Sequence, residues 1–137
     1  MAQKFSLYGD LSVAQNLAFF AGAYGLAGAA ARAAVDRVTT LFELGDLLPR
    51  DAGSLPLGFK QRLALAVAVL HEPPVLFLDE PTSGVDPVTR REFWSHINGL
   101  VEQGVAVLVT THFMEEAEYC DNTTLMVTNG KKIWIRN

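Results

Sequence analysis

Residues 75–87 of this chain read Val-Leu-Phe-Leu-Asp-Glu-Pro-Thr-Ser-Gly-Val-Asp-Pro. Apolar residues closed by two acids suit a buried strand that is covered on both faces by helices. Asp86 followed by Pro87 is typical of a helix start, because aspartate caps free N–H groups and proline fits the first turn. Open α/β sheets place ligand-binding groups at the carboxyl ends of such strands. The stretch therefore predicts an α/β fold with Asp79 and Glu80 as candidate functional residues.

The sequence that follows continues the alternation of helices and strands. Apolar residues recur at helical spacing over residues 93–101 and predict a helix that ends near Gly104. Val105–Val109 predicts a second buried strand, which leads into Thr110-Thr111-His112. Consecutive strands separated by one helix favour a parallel sheet. His112 is then expected near the acids that end the first strand.

The end of the chain is predicted to hold a short acidic helix and a hairpin. The helix lies around Glu115–Tyr119, and its acids are placed in the first turns, where negative charge complements the helix dipole. Residues 123–135 read as a hairpin, because the Asn129-Gly130 pair accepts the positive φ values of a type I′ turn. From the residues alone, Glu115, Glu116 and Glu118 receive no functional role.

The first half of the chain is predicted to be helical. Ser12 and Gln15 have the spacing of a capping box, which places the start of a first helix near Val13. Residues 31–42 predict a second helix with Gly45 as its terminator, and residues 60–71 predict a third, buried on most sides and stopped by proline. Aromatic residues at helical spacing are expected in the core: Phe19, Phe20, Phe42, Phe93 and Trp94.

Composition excludes several classes of protein. Eleven Lys and Arg against fifteen Asp and Glu give a net charge of −4, without the basic stripe that binding a nucleic-acid backbone requires. A single cysteine, Cys120, cannot form an internal disulfide and is compatible with a reducing compartment. The longest apolar run, Leu63–Leu70, is far shorter than the ~20 residues of a membrane-spanning helix. Cytosolic exposure is expected, with any membrane role exerted through a partner.

The combined motifs resemble the ATPases of ATP-binding-cassette (ABC) transporters over nearly all of the chain. Val75–Leu78 with Asp79 and Glu80 is similar to the Walker B strand of that family, and Ser83-Gly84-Val85-Asp86 is similar to its D-loop. His112 matches the switch histidine, and Gln3 in Gln-Lys-Phe-Ser-Leu-Tyr resembles the Q-loop glutamine. The resemblance implies a partial P-loop NTPase fold: a helical subdomain over about residues 10–72 with the signature region, then a truncated, mostly parallel sheet with a C-terminal hairpin over about 73–137.

The resemblance also implies roles in ATP hydrolysis. Asp79 would hold Mg²⁺ through water, Glu80 would orient or deprotonate the attacking water, and His112 would reach the γ-phosphate. Gln3 would sense Mg²⁺ or that water. Asp86 and Gly58 complete the set of expected nucleotide-binding residues. The implied cofactors are ATP and Mg²⁺ in the intact domain.

Two departures from the family pattern are visible. The signature region reads Leu55-Pro56-Leu57-Gly58-Phe59, so Pro56 replaces the usual hydroxyl and also lacks a backbone N–H. Gly58 and the following helix N-terminus keep an anion-binding role open, beside the simpler interpretation of a turn before a core helix. No G-x-x-x-x-G-K-[ST] phosphate loop occurs, since Gly130-Lys131 lies in the predicted hairpin. The chain resembles the C-terminal two thirds of a cassette.

Two functions from different classes remain open on the sequence. The first is part of the ATPase subunit of an exporter of the ABC-2 type, inactive alone, on the cytoplasmic face of the membrane. Its implied partners are a transmembrane permease subunit and a second ATPase domain, with no nucleic acid. The second is a non-hydrolysing interaction or regulatory module that docks on a transporter or partner cassette. In either case the missing strands should leave an apolar sheet edge that favours self-association.

Overall fold

The computed structural model of the chain describes residues 7–120 and the backbone of residues 132–136. It divides into two compact units, one up to Pro73 and the other from Pro74 onward. The first unit is helical, with α1 (Val13–Ala23), α2 (Gly28–Leu41), α3 (Leu57–Ala68) and short 3₁₀ helices at Gly45–Leu47 and Ala52–Ser54. The second holds β1 (Val75–Asp79), α4 (Pro87–Glu102), β2 (Ala106–Thr111), a 3₁₀ helix (Met114–Tyr119) and β3 (Lys132–Arg136).

Helix α1 begins where the capping pattern predicts. The Ser12 hydroxyl accepts a hydrogen bond from the Gln15 N–H at 3.1 Å, and the Gln15 side chain accepts one from the Ser12 N–H at 2.9 Å. These two bonds satisfy N–H groups that the helix itself leaves free. The predicted start near Val13 is therefore confirmed.

Helix α2 ends close to its predicted range, but not through the predicted terminator. Glu43, with φ 53°, takes the left-handed conformation that a glycine usually provides at this position. The Leu44 N–H then donates to Thr39 O at 2.9 Å, and Leu44 is fully buried. The helix ends at Leu41, and Gly45, the predicted terminator, instead begins a 3₁₀ helix.

Helix α3 is shifted toward the N-terminus of its predicted range, Lys60–His71. Pro56 is its N-cap residue, because a proline with φ −55° and ψ 151° can precede a helix without needing a hydrogen bond from its nitrogen. At the other end, Arg37 Nη2 donates to Val69 O and Leu70 O, both at 3.1 Å. This guanidinium satisfies carbonyls at the helix end, so α3 stops at Ala68 before the prolines are reached.

The prediction that α3 is buried on most sides is confirmed. Its buried side chains occupy nearly consecutive positions and cover the helix almost all round: Gln61, Leu63, Ala64, Leu65, Ala66 and Val67. Phe42 is fully buried in the same unit. Phe19, in contrast, is 49% exposed and packs edge-on against Tyr8 at 5.0 Å, so its prediction as a core residue is wrong. It lies on the outer side of α1, where the helical stripe is wider than the buried face.

The sheet has the order β1-β2-β3, with β1 and β2 parallel. Asp86 caps α4 and Pro87 is its first residue, as the sequence predicts, and Gly104 with φ 93° follows its end. Helix α4 contacts β2, and its predicted apolar stripe is buried at Phe93, Trp94, Ile97 and Leu100. β3 runs antiparallel to β2. β3 covers most of the residues predicted as the second arm of a hairpin, and the first arm and the turn lie outside the described residues, so the hairpin itself stays a prediction.

The two faces of β1 are not equally covered. Leu76 and Leu78 are buried, whereas Val75 is 46% exposed and Phe77 is 63% exposed. Alternate side chains of a strand point to opposite faces, so only one face of β1 is covered within the described residues. The expectation of a strand covered on both faces is therefore wrong for this chain.

No helix in the described part is long and apolar enough to cross a membrane.

Candidate functional site

Asp79 and Glu80 end β1 beside the end of β2. The parallel register pairs Asp79 with Thr110, and the Thr110 hydroxyl donates a hydrogen bond to Asp79 Oδ1. The Asp79 side chain is exposed at this edge of the sheet. An exposed carboxylate at the carboxyl ends of parallel strands is accessible to a cation or a polar ligand.

Glu80 turns the chain away from the sheet. Its φ of 45° is left-handed, and its N–H donates to Thr110 O at 2.8 Å. This bond fixes the residue to β2 directly after the last pair of the sheet. The Glu80 side chain is directed inward, and the residue is only 8% exposed. Two consecutive acids thus have different surroundings, one at the surface and one buried.

His112 follows β2 and lies against Glu80. Its Nδ1 is 3.6 Å from Glu80 Oε1, and its ring centroid is 4.1 Å from that of Phe113. The His112 side chain is 46% exposed, so the imidazole has one side toward Glu80 and another toward solvent. The structure brings together three sequence-predicted residues: Asp79, Glu80 and His112.

Of the remaining predicted residues, the structure describes Asp86 and Gly58. Asp86 is exposed, and its Oδ2 accepts a hydrogen bond from the Thr89 N–H at 3.1 Å as the cap of α4. Hydrogen bonds from the Thr89 side chain and backbone lower the pKa of Asp86. Gly58 is half-buried in the first turn of α3, in the helical unit. Gln3 lies outside the described residues.

Sequence reasoning missed three residues around the same strand ends. Glu116 is fully buried rather than placed at the surface of an acidic turn, and its Oε1 accepts a hydrogen bond from the Thr82 hydroxyl. Arg90 Nε is 3.8 Å from the same oxygen. The sequence did hold a signal for the burial of Glu116. It comes three residues after Phe113 and four before Cys120, and this helical spacing places it on the apolar side of the turn.

The described residues fit a partial site for a magnesium nucleotide. Mg²⁺ is usually held by one or two carboxylates, with waters and substrate phosphates supplying the other ligands. The exposed carboxylate of Asp79 fits one such ligand. No group of three or more His, Cys, Asp or Glu among the described residues is arranged to hold a metal by itself. Further ligands would have to come from the nucleotide and from another segment.

Comparison with known proteins shows which proteins this chain is similar to. The family described as "AAA domain, putative AbiEii toxin, Type IV TA system" matches residues 6–116. The chain is 62% identical over 133 residues to "Probable multidrug ABC transporter ATP-binding protein YbhF" of Escherichia coli K12, covering 97% of this chain and 23% of that protein. It is 41% identical over 124 residues to "Nod factor export ATP-binding protein I" of Burkholderia pseudomallei, covering 90% of this chain and 41% of that protein.

A solved structure gives the same assignment. The cbiO1 protein of Clostridium perfringens, described as part of the ABC transporter complex cbiONQ, superposes with a TM-score of 0.78 at 32% identity. The match covers 85% of this chain and 47% of that one. The chain thus spans less than half the length of the relatives it matches. It belongs to the family of that AAA domain and, by its relatives and its P-loop NTPase fold, to the ATP-binding proteins of ABC transporters, of which it spans a part.

Proposed function

We propose that this chain is the part of an ABC exporter's ATPase subunit that supplies the water-activating and phosphate-sensing residues. The observation that carries the proposal is the 3.6 Å approach of His112 Nδ1 to Glu80 Oε1, beside the exposed Asp79. An acid and an imidazole at the ends of adjacent parallel strands can act together on one bound water. Export is the direction given in the name of the Nod factor relative.

Asp79 is proposed to bind Mg²⁺ through water. Its Oδ1 already accepts a hydrogen bond from the Thr110 hydroxyl, which holds the carboxylate in one orientation at the edge of the sheet. A fixed carboxylate suits a cation that keeps several of its waters. The bound Mg²⁺ would neutralise charge on the phosphates of ATP.

Glu80 is proposed as the residue that orients or deprotonates the attacking water. Its backbone is fixed to β2 by the bond from its N–H to Thr110 O, so its carboxylate has a defined position. A general base must lie within hydrogen-bond reach of the proton it accepts. His112 is proposed to bind the γ-phosphate, and the proposal is supported by its ring, which borders Glu80 and is still partly exposed.

Three further residues are assigned roles at the nucleotide by family resemblance. Gln3 senses Mg²⁺ or the water, and Asp86 belongs to the D-loop. Gly58 lies in the first turn of α3, where free backbone N–H groups favour an anion. The anion would be the γ-phosphate of ATP in a second ATPase domain.

The same proposal includes partners and location. The intact protein pairs with a second ATPase domain, of the same or a different kind, and with a transmembrane permease subunit. It acts at the cytoplasmic face of the membrane, which it reaches through that permease. Because no G-x-x-x-x-G-K-[ST] occurs in these 137 residues, the chain alone is expected to hydrolyse no ATP.

Complementation tests the proposal. The chain is co-expressed with a separate N-terminal piece of an ABC ATPase that carries the G-x-x-x-x-G-K-[ST] phosphate loop, and ATP hydrolysis by the purified pair is measured. We expect activity from the pair and none from either part. Glu80→Gln should abolish that activity while leaving ATP binding intact, because the amide cannot accept the proton from water.

Glu102→Gln is the matched control, since Glu102 is an exposed acid at the end of α4 away from the strand ends. This variant should hydrolyse ATP like the unmodified pair. A pair that assembles and binds ATP but never hydrolyses it contradicts the proposal. That result would favour a non-hydrolysing interaction or regulatory module, in line with Pro56 at the start of α3.

A further inference from the structure

The pairing of β1 and β2 does not by itself explain the distance between the Glu80 and His112 side chains. The pairing of β1 with β2 and the bonds from the Glu80 N–H to Thr110 fix the two strand ends to each other. Beyond that point, residues 81–86 form a loop and residues 112–113 lead into the 3₁₀ helix Met114–Tyr119, so each segment leaves the sheet separately. Contacts between these two segments can therefore add to what the strand pairing fixes.

Arg90 contacts both segments. Its Nη2 donates to Val85 O at 3.1 Å, in the loop that follows Glu80. Its Cζ lies 3.9 Å from the centroid of the Phe113 ring, and Phe113 packs in turn against His112. The Arg90 side chain is only 12% exposed. A planar guanidinium can donate along its edge and stack on a ring with its face, so one side chain serves both contacts.

Glu116 adds a second connection. It is fully buried, and its Oε1 receives the Thr82 hydroxyl and lies 3.8 Å from Arg90 Nε. Glu116 Oε2 accepts no hydrogen bond among the described residues. A buried carboxylate is tolerated only where nearby donors and charges compensate it. Displacing the Thr82 loop from the Glu116 turn would remove that compensation, so the two segments are held in one arrangement.

We propose that Thr82, Arg90 and Glu116 form a clamp that sets the distance between Glu80 and His112. The clamp residues are positioning residues and touch neither the water nor the nucleotide. The inference rests on the proposed ATPase function and deepens it. In that function Glu80 and His112 act together, so the distance between them must be fixed. A displacement of about 1 Å in a catalytic group can cost on the order of a hundredfold in rate.

The first experiment monitors the surroundings of the His112 ring in the full chain and does not depend on ATPase activity. The chain has three histidines, so the imidazole C–H signals are few enough to assign by NMR. Glu116→Gln keeps the shape of the side chain but removes its charge, and Arg90→Lys keeps the charge but loses the planar fork. Each should shift the His112 signal, because its ring lies 4.1 Å from Phe113.

Two internal controls separate the clamp from a general loss of structure. His71 stacks on Tyr24 in the helical unit, and its signal should stay in place in every variant. Glu118→Gln changes an exposed acid two residues from Glu116, and it should shift neither histidine. Should Glu116→Gln fail to fold, Arg90→Lys and Thr82→Val test the same clamp from its other two members.

The second experiment measures kinetics in the complemented pair. Arg90→Lys and Glu116→Gln should lower kcat by about tenfold to a hundredfold with KM for ATP nearly unchanged. Their effects should not multiply in the double variant, since both act on one distance. A purely structural role would reduce the folded fraction but leave kcat per folded molecule as it was.

The two proposals fail in different ways. An unmodified pair without ATPase activity overturns the proposed function, and the NMR measurement still decides whether the clamp exists. An unshifted His112 signal in folded Arg90→Lys and Glu116→Gln overturns the clamp, even where the unmodified pair hydrolyses ATP. A shifted signal together with a lower kcat supports both.

Discussion

Asp86 is the residue whose ionisation is tied most directly to local structure. Hydrogen bonds from the Thr89 side chain and then its backbone N–H hold the pKa of the Asp86 carboxyl below its ordinary value of 3.8. The charged form is therefore favoured more in the folded chain than in the unfolded one. That contribution to stability is fully present above the unfolded pKa and is lost as pH falls through the lower folded pKa.

Replacing Asp86 by Asn isolates this charge, because asparagine also caps helices well. We expect the wild-type chain to exceed Asp86→Asn in free energy of unfolding at pH values above about 5, and the difference to shrink as the carboxylate is protonated. Urea denaturation of both proteins at a series of acidic pH values measures this difference in the free energy of unfolding. Thr89→Ala removes the largest cause of the pKa shift and should flatten the pH dependence, whereas a difference that is constant with pH contradicts the argument.

Glu116 shows why some residues escape sequence-based reasoning. Its neighbours Glu115 and Glu118 are exposed, and all three acids look alike in the sequence. Burial of the middle one depends on Thr82 and Arg90, which lie more than twenty residues earlier in the chain. Asp79 and Glu80 were predictable because their position after an apolar strand is a local signal. The partners of a buried charge are a tertiary property.

Among the elements, α4 offers a matched pair of glycines for a test of backbone conformation. Gly99 lies inside the helix and Gly104 follows its end with φ 93°, and a Cβ added at either would meet nothing within 4 Å. Only the backbone therefore distinguishes the two sites. Gly99→Ala should stabilise the chain by about 0.5–1 kcal/mol, because alanine loses less conformational entropy in a helix.

Gly104→Ala should instead destabilise it by about 1 kcal/mol, since the left-handed conformation is strained for any side chain. Urea denaturation of the two variants beside the wild type measures both changes. Equal shifts in the same direction would mean that the end of α4 relaxes and that φ at Gly104 is not a constraint.

The starts of α1 and α4 were easier to predict than the ends of α2 and α3. Ser12 and Asp86 cap α1 and α4 with side chains whose pattern is visible in the sequence. The ends of α2 and α3 depend on Glu43 in a left-handed conformation and on Arg37 reaching across to the carbonyls of Val69 and Leu70. Neither can be read from local propensity, because one is a strained non-glycine residue and the other is a contact between helices.

At the scale of the whole molecule, we expect the exposed side of β1 to promote association between copies of the chain. β1 is the outer strand of the described sheet, with Val75 46% and Phe77 63% exposed. Apolar outer strands are templates for association unless charge or a covering element protects them. We expect the average mass from sedimentation velocity to rise with protein concentration.

Phe77→Lys should reduce that association, because a charge at the outer strand opposes pairing between copies. Val88→Lys is the control, since Val88 is similarly exposed, at 58%, but lies in the first turn of α4. The phosphate-loop-bearing piece of the complementation experiment should compete with self-association if both cover β1. A chain that stays monomeric at high concentration, or one in which both lysine variants act alike, would mean that the surface of β1 does not drive association.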